Sequence, residues 1–353
     1  LQDRGPSQIS AGYAAYIQRK VVCIIATLVV LFLLVIVSAT TGAIRIPLGE
    51  VLSALVRFDF TGLGRIVWEV RMPRIVAALL VGGGLSICGT VMQSILRNSL
   101  ASPYTLGISS AAAFGASFAI VFLQAGSSHA SSVVINNPSV VSLCAFAFSM
   151  LAAFTILLLT SLTRISAQSM VLSGIAISSM FSAGLTLMQY MADSVQLANI
   201  ISWTFGDLGR SSWGSVLITA VAVVPISWLF FRYRWDFNAM EAGEELAKGL
   251  GIRTERVRML CMVAASLVSA IVVSFFGIIG FVGLLGPHIA RQIIGGDHRY
   301  LLLASPLVGA VVLLAADTVA RVMLAPMVLP VGILTSLLGG PLFIYLLIKG
   351  AKS

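Results

Sequence analysis

Residues 98–163 read NSLASPYTLGISSAAAFGASFAIVFLQAGSSHASSVVINNPSVVSLCAFAFSMLAAFTILLLTSLT, without one Asp, Glu, Lys or Arg. A water-soluble fold cannot hide so much continuous apolar sequence, and similar runs recur from Val21 almost to the C-terminus. The chain therefore belongs in a lipid bilayer. Every backbone N–H and C=O must there be satisfied within the spanning structure, which excludes open sheets and bare loops. Runs of this length read as transmembrane helices.

Composition extends the reading to all 353 residues, of which 58% are hydrophobic and only 10% charged. With roughly 20 apolar residues per crossing, there is room for about ten helices and for little else. The expected spans are 21–41, 73–94, 104–124, 139–163, 168–191, 212–232, 258–277, 279–295, 300–322 and 331–349. Residues 1–20 read as a polar cytoplasmic lead-in, and 21–353 as one transmembrane domain. No cleavable signal peptide is expected, because the first apolar run is long enough to span. Gly126–Pro138 is a polar break, and Asp193–Ser212 is too polar to span and should form short surface helices. Cys23, Cys88, Cys144 and Cys261 lie inside apolar runs and read as small hydrophobes.

A net charge of +9 would suggest nucleic acid in a soluble protein, but here it fixes orientation. With the N-terminus inside, 15 of the 22 basic residues face the cytoplasm, and both termini are cytoplasmic. The outside set is Arg45, Arg57, Arg65, Arg71, Arg74, Arg210 and Arg321; five of these seven crowd into 42–74. An even number of spans with both ends inside is compatible with two five-helix halves, the second inverted relative to the first.

The chemistry that is missing narrows the function. Ion-driven carriers place acids or histidines near mid-membrane, yet twelve of the thirteen acids fall in loops or at span edges. Asp317 alone interrupts an apolar run, and Arg321, four residues on, shares its helix face. His129, His288 and His298 are dispersed, and no metal or cofactor site is expected. A phosphate-binding loop needs Gly-Lys followed by Ser or Thr, and the one Lys so followed, Lys352, comes after Ala351. The chain does not read as an enzyme, and its energy must come from elsewhere.

The largest inside loop, 233–258, is where that energy can enter. Its centre, Glu241-Ala-Gly-Glu-Glu-Leu-Ala-Lys-Gly-Leu-Gly-Ile252, reads as a short helix closed by Gly249 or Gly251. Small residues at Ala242, Gly243 and Ala247 permit close approach. The glycines at 82–84, 89, 277, 280, 283 and 286 do the same for the spans, and Pro103, Pro287, Pro330 and Pro341 mark span starts or kinks.

An ordered set of segments resembles the FecCD-type permeases, the membrane subunits of ABC importers for iron–siderophore complexes, haem and cobalamin. It begins with Arg71-Met-Pro-Arg74, Gly82-Gly-Gly84 and Gly89-Thr-Val-Met-Gln93. Arg97-Asn-Ser-Leu-Ala-Ser-Pro103 and Leu106-Gly-Ile-Ser109 follow. Gly280-Phe-Val-Gly-Leu-Leu-Gly-Pro-His-Ile-Ala-Arg291 and Gly296-Asp-His-Arg299 come next, then Ala316-Asp-Thr-Val-Ala-Arg321, Leu329-Pro-Val-Gly-Ile-Leu-Thr335 and Gly340-Pro341. The order holds from about residue 20 to the C-terminus. Two departures stand out. Asn98-Ser-Leu-Ala101 replaces the family's Asn-Pro-Leu-Ala, implying a less rigid loop, and Gly286 replaces a branched residue, implying looser packing before Pro287.

The resemblance implies an all-α permease domain paired with a second permease, two ATPase subunits inside, and a soluble binding protein outside. It implies that Arg71, Arg74 and Arg321 dock acidic residues of the binding protein, a task suited to the guanidinium fork. It places ATPase coupling on the inside loop, at Glu241, Glu244, Glu245, Leu246, Ala247, Gly249, Leu250 and Gly251. It places the cytoplasmic gate at Asn98, Ser99 and Leu100, with Ala167 and Gln168, and pathway lining on the fifth span, at Ser173, Ser178, Ser179 and Met188. The implied function is a permease subunit, in the inner membrane of a prokaryote, moving a ferric siderophore or similar iron chelate by alternating access. The same importer class carrying haem, cobalamin or an oxyanion such as molybdate is the alternative. An ion-coupled secondary carrier is disfavoured by the near absence of buried acids, and a purely structural membrane subunit by the Gly and Pro interruptions.

Overall fold

The computed structural model describes residues 6–42, 44–58, 61–125, 137–163, 167–325 and 327–350. Among the described residues every regular element is a helix. In order the helices are α1 (Pro6–Thr40), α2 (Leu48–Arg57), α3 (Gly62–Ile95), α4 (Ile108–Phe122), α5 (Pro138–Thr163), α6 (Ala167–Met191) and α7 (Ser194–Thr204). There follow α8 (Trp213–Arg232), α9 (Arg234–Ala242), α10 (Glu244–Gly249), α11 (Thr254–Phe276), α12 (Val282–Ile294), α13 (His298–Met323) and α14 (Val331–Gly350). Each of the ten expected spans coincides with one of these helices. Among the described residues seven are long and apolar enough to cross a membrane: α1, α3, α5, α6, α8, α11 and α13.

The ends of the helices follow local chemistry. Asp193 accepts the Val195 and Gln196 amides, both at 2.8 Å, and so starts α7 in the polar segment that was expected to stay at the surface. Ser212 and Ser215 form a reciprocal capping box on α8, and Asp297 accepts the Arg299 amide at 3.0 Å to cap α13. α2 falls in a stretch that reads from the sequence as a connector. It is too short to span, and buries Val51 and Ala54 while exposing Leu52 and Val56. The break between α9 and α10 comes at Gly243, whose φ of 150° admits no ordinary side chain.

α3 is the axis of the molecule. Its most apolar window is 78% buried, against 6% for α1 and 11% for α6, and it packs on α8, α11, α12 and α13. Glycines set how close these neighbours come. A Cβ on Gly82 would lie 2.5 Å from the Gly309 carbonyl oxygen of α13, and one on Gly89 would collide with the Gly283 carbonyl of α12. Gly286 corrects an expectation. Packing there is tight, since a side chain at 286 would run into the Ser86 hydroxyl. The small residue is what lets α12 lie against α3. Where backbones approach this closely, hydroxyls are paired: Ser86 donates to the Ser305 carbonyl and Thr90 to the Ser305 hydroxyl, each at 2.6 Å.

Two apolar helices are short. α4 has 15 residues and α12 has 13, so at 1.5 Å per residue they extend about 22 and 20 Å, less than the ~30 Å hydrocarbon core. Irregular backbone leads into each, a 3₁₀ turn at Pro103–Leu106 before α4 and residues 277–281 before α12.

Candidate functional site

One end of the bundle carries the arginines. Arg71 is 5% exposed and donates to the Ala39 carbonyl in the last turn of α1 and to the Ile44 carbonyl beyond it. Arg74 donates through Nε to Asp317 Oδ1 at 2.9 Å, with Nη2 at 2.8 Å from the same oxygen, and reaches Asp207 at 3.5 Å. Arg321 bonds the Ser38 and Thr41 carbonyls at 3.2 and 3.1 Å and the Ser38 hydroxyl at 2.5 Å, with Nε 3.1 Å from Asp317 Oδ2. Asp317 is fully buried between the two guanidinium groups. The i, i+4 pair expected from the sequence is present, but Arg74, 243 positions away, shares its carboxylate. All three arginines spend their donors inside the chain, and the fully exposed basic side chains nearby are Arg45, Arg57 and Arg65.

The opposite end carries the 233–258 loop. Here α9 is clamped to the turn between α12 and α13. Asn238 donates to Asp297 Oδ1 at 3.1 Å and accepts the His298 amide at 2.8 Å. Glu241 accepts from Arg291 and contacts His298 Nε2 at 2.8 Å. Phe237, wholly buried, sits edge-on to the His298 ring. α10 is tied to α11 instead. Glu244 accepts from Arg258 at 3.0 Å and pairs with Lys248 at 3.2 Å, while Ala247 is buried beneath.

These carboxylates are tuned as charged groups. Burial pushes Glu241 up, but bonds from His298 and Arg291 outweigh it and hold the group below its ordinary value. Glu244 is held low in the same way by Lys248 and Arg258, against its own burial. Burial also opposes ionisation of Asp297, yet the Arg299 side chain and amide bring it down to about 2.

What α10 leaves free is distinct. Leu246 is 54% and Leu250 67% exposed, four residues apart on one face, with Glu245 and Gly249 beside them. Gly251, with a φ of 82°, closes the helix. Of the expected coupling residues, then, Glu241, Glu244 and Ala247 face the body of the protein, and Glu245, Leu246, Gly249, Leu250 and Gly251 face away.

Asn98, Ser99 and Leu100, the residues expected to form a gate, follow α3 at this same end. Arg97 adopts a left-handed conformation (φ 48°), and the Asn98 side chain accepts the Leu100 amide at 2.9 Å. That Asx turn restores part of the rigidity the missing proline would have given. Ala167 and Gln168 begin α6, but their side chains lie outside the described residues. So do Arg164 and His129.

α6 itself is largely uncovered. Ser173 and Ser178 are half-buried and Ser179 is exposed, whereas Met188 is 5% exposed and packs inward. Ser179, Ser182 and Thr186 form a polar stripe at helical spacing on the open face. The last two escaped the sequence reading because isolated Ser and Thr in an apolar helix carry no periodic signal of their own. A cavity of about 280 Å³ also went unforeseen. It lies between the entries to α4 and α12, lined by Leu85, Pro103, Tyr104, Phe281 and Leu284. The shortness of those two helices is the signal that could have found it.

Comparison with known proteins gives a consistent result. Residues 29–349 match the model of the FecCD transport family. An ABC transporter permease protein of Methanocaldococcus jannaschii is 48% identical over 342 residues, covering 96% of this chain and 98% of that protein. The hemin transport system permease protein of Yersinia pestis is 32% identical over 327 residues, covering 91% and 94%. Among solved structures, an inward-facing metal-chelate type ABC transporter superposes with a TM-score of 0.77 at 30% identity, covering 95% of this chain and 99% of that one.

Proposed function

The chain belongs to the FecCD transport family, and from that premise we propose that it is the membrane permease of an ATP-driven importer whose cargo is a ferric siderophore or similar iron chelate. The observation that carries the reading is α10. It is tied to the body of the protein through Glu244 and offers two exposed leucines to a partner, on a chain with no phosphate-binding loop of its own. In this reading the loop end is cytoplasmic, as are both termini, and the ATPase subunits grip α10 there.

The open faces of α6 and α14 meet a second permease, identical or homologous, and the Ser179–Ser182–Thr186 stripe borders the pathway between them. Asn98–Leu100, with Ala167 and Gln168, close that pathway on the inside. ATP binding rocks the two permeases and alternates access. Two inverted five-helix halves fit this picture, because the short helices α4 and α12 are the third of each half and their entries meet in one cavity.

At the arginine end an extracytoplasmic binding protein docks. Arg71, Arg74 and Arg321 brace that surface from within. To contact an acidic partner directly, Arg74 and Arg321 would exchange Asp317 for the partner's carboxylate. Haem, cobalamin and molybdate remain the competing cargoes within the same class.

Reconstitution tests the reading. Vesicles containing this chain, its ATPase subunits and its binding protein should accumulate ferric chelate only with ATP inside, whatever the proton gradient. Gradient-driven uptake by this chain alone would overturn it.

A further inference from the structure

One side chain at the loop end belongs to both the partner-facing helix and the gate. Arg258, on the first turns of α11, donates through Nη2 to Glu244 Oε2 at 3.0 Å and through Nε to the Ile95 carbonyl at 3.2 Å. Glu244 is the first residue of α10, and Ile95 is the last of α3. We propose that Arg258 is the positioning residue that carries motion of α10 to the gate loop Asn98–Leu100. The proposal rests on the reading of α10 as the ATPase contact and of that loop as the gate.

Three features support it. First, Nε and Nη2 are neighbours on one rigid plane, so a displacement of the Glu244 carboxylate turns the whole fork and is felt at the Ile95 oxygen. A lysine, with one rotatable ammonium, cannot hold the two acceptors in a set geometry. Second, the Ile95 carbonyl is at the end of α3, where acceptors have no partner within the helix. Arg258 thus caps the helix whose continuation is the gate.

Third, there is little slack beyond that cap. The Leu96 amide bonds the Met92 carbonyl at 3.1 Å, the Asn98 amide returns to the Gln93 carbonyl at 3.1 Å, and the Ala101 amide bonds the Asn98 carbonyl at 3.0 Å. Two residues, Leu96 and Arg97, separate the capped carbonyl from the first gate residue, both within a hydrogen-bonded turn. The clamp on α9 does a different job. Asn238 and Glu241 hold α9 to α12 and α13, and the break at Gly243 lets α10 turn on that fixed base, carrying Glu244, its first residue, against Arg258.

Removing the guanidinium need not unfold the loop. Glu244 keeps Lys248 at 3.2 Å and is 37% exposed, so no buried carboxylate is left unpaired. The experiment uses the complete complex with its ATPase subunits, carrying Ser99→Cys as a reporter. Its rate of reaction with a water-soluble maleimide is measured with and without ATP, in parallel with phosphate release.

In the unmodified complex ATP should change the labelling rate. In Arg258→Met that response should shrink by about 2- to 30-fold, the range expected for residues that carry coupling, while ATP hydrolysis stays within about twofold. Arg258→Lys, which restores charge without the fork, should behave like Met. An undiminished gate response in Arg258→Met, full rescue by Lys, or a parallel collapse of hydrolysis and response would each overturn the relay. If the unmodified complex hydrolyses no ATP, or its Ser99→Cys reporter ignores ATP, the parent reading fails as well, and the two failures are distinguishable.

Discussion

Asp317 shows how much a single carboxylate can organise. It is the sole anion fully enclosed among three inward-turned arginines, paired with Arg74 and Arg321 and with Arg71 next to the latter's carbonyl partners. Removing one partner of a buried pair costs about 3–5 kcal/mol, because the remaining charge stays desolvated. Asp317→Ala should therefore lower the thermal midpoint of the purified protein markedly, whereas Arg45→Ala, at the exposed surface, should not. Equal midpoints for the two variants would show that the cluster is not bearing load. The sequence disclosed only half of this site. Asp317 and Arg321 are legible as an i, i+4 pair, but Arg74 arrives from a helix 243 positions away, and local spacing holds no trace of it. For the same reason the inward bonds of an outside-facing arginine, read from the sequence as a docking charge, are not legible in it.

Elements were legible where one signal dominated. The uncharged runs gave each long helix, and the polar Asp193–Ser212 stretch announced short helices, though not their caps at Asp193 and Ser212. α2 was not legible, because ten amphipathic residues next to Arg57 look like any connector. The partition of the inside loop into α9 and α10 was half visible. Gly251 reads as a closing residue, while the break at Gly243 needs the clamp from Asn238 and Glu241 to the distant His298 and Arg291.

That clamp titrates in a set direction. Glu241, Glu244 and Asp297 all ionise more readily in the fold than free, from ordinary values of 4.5, 4.5 and 3.8. Their contribution is complete above those values and is lost as pH falls through the folded ones, the last at about 2. Amide exchange in 234–252, corrected for intrinsic rates, should thus stay slow down to pH 4.5 and accelerate below it. Acceleration beginning well above pH 4.5 would show that these acids do not hold the loop. Packing between helices can be tested as directly. Gly89→Val drives a branched side chain into the Gly283 carbonyl, and overpacking of this kind costs typically about 1–3 kcal/mol. Reduced yield of folded protein in the membrane is the expected outcome, with Gly49→Val, in open space, as the silent control.

At the level of the whole molecule, the uneven cover of the helices is the main fact. α3 is wrapped on nearly every side, and α6 shows lipid or a neighbour a face that includes Ser179, Ser182 and Thr186. Their hydroxyls bond within the fold, Ser179 donating to the Ile175 carbonyl and Thr186 to the Ser182 carbonyl at 3.0 Å and Ser182 reaching the Ser110 hydroxyl at 3.4 Å, which leaves acceptor sites that a second permease across this face would use. Cysteines at Ser182 should cross-link in native membranes to give a species of about twice the mass. A monomer that labels fully yet never cross-links would argue against this face.

The first helix of the chain gives the molecule a further property. α1 is mostly exposed but lays one face along α13, and it is pinned near both ends. Arg71 and Arg321 hold the carbonyls from Ser38 to Ile44, and Lys20 sits 3.9 Å from Asp297 under the Tyr16 and Tyr300 rings. Lys20 and Ala39 are 19 helical residues apart, about 28 Å, which nearly matches the oily thickness of an ordinary membrane. A strut of constant length, anchored to α13 at top and bottom, cannot stretch when that thickness changes. It can only lean, and in leaning it pulls on both anchors together, so the lipid in which the protein is embedded becomes one of the forces that set its resting posture.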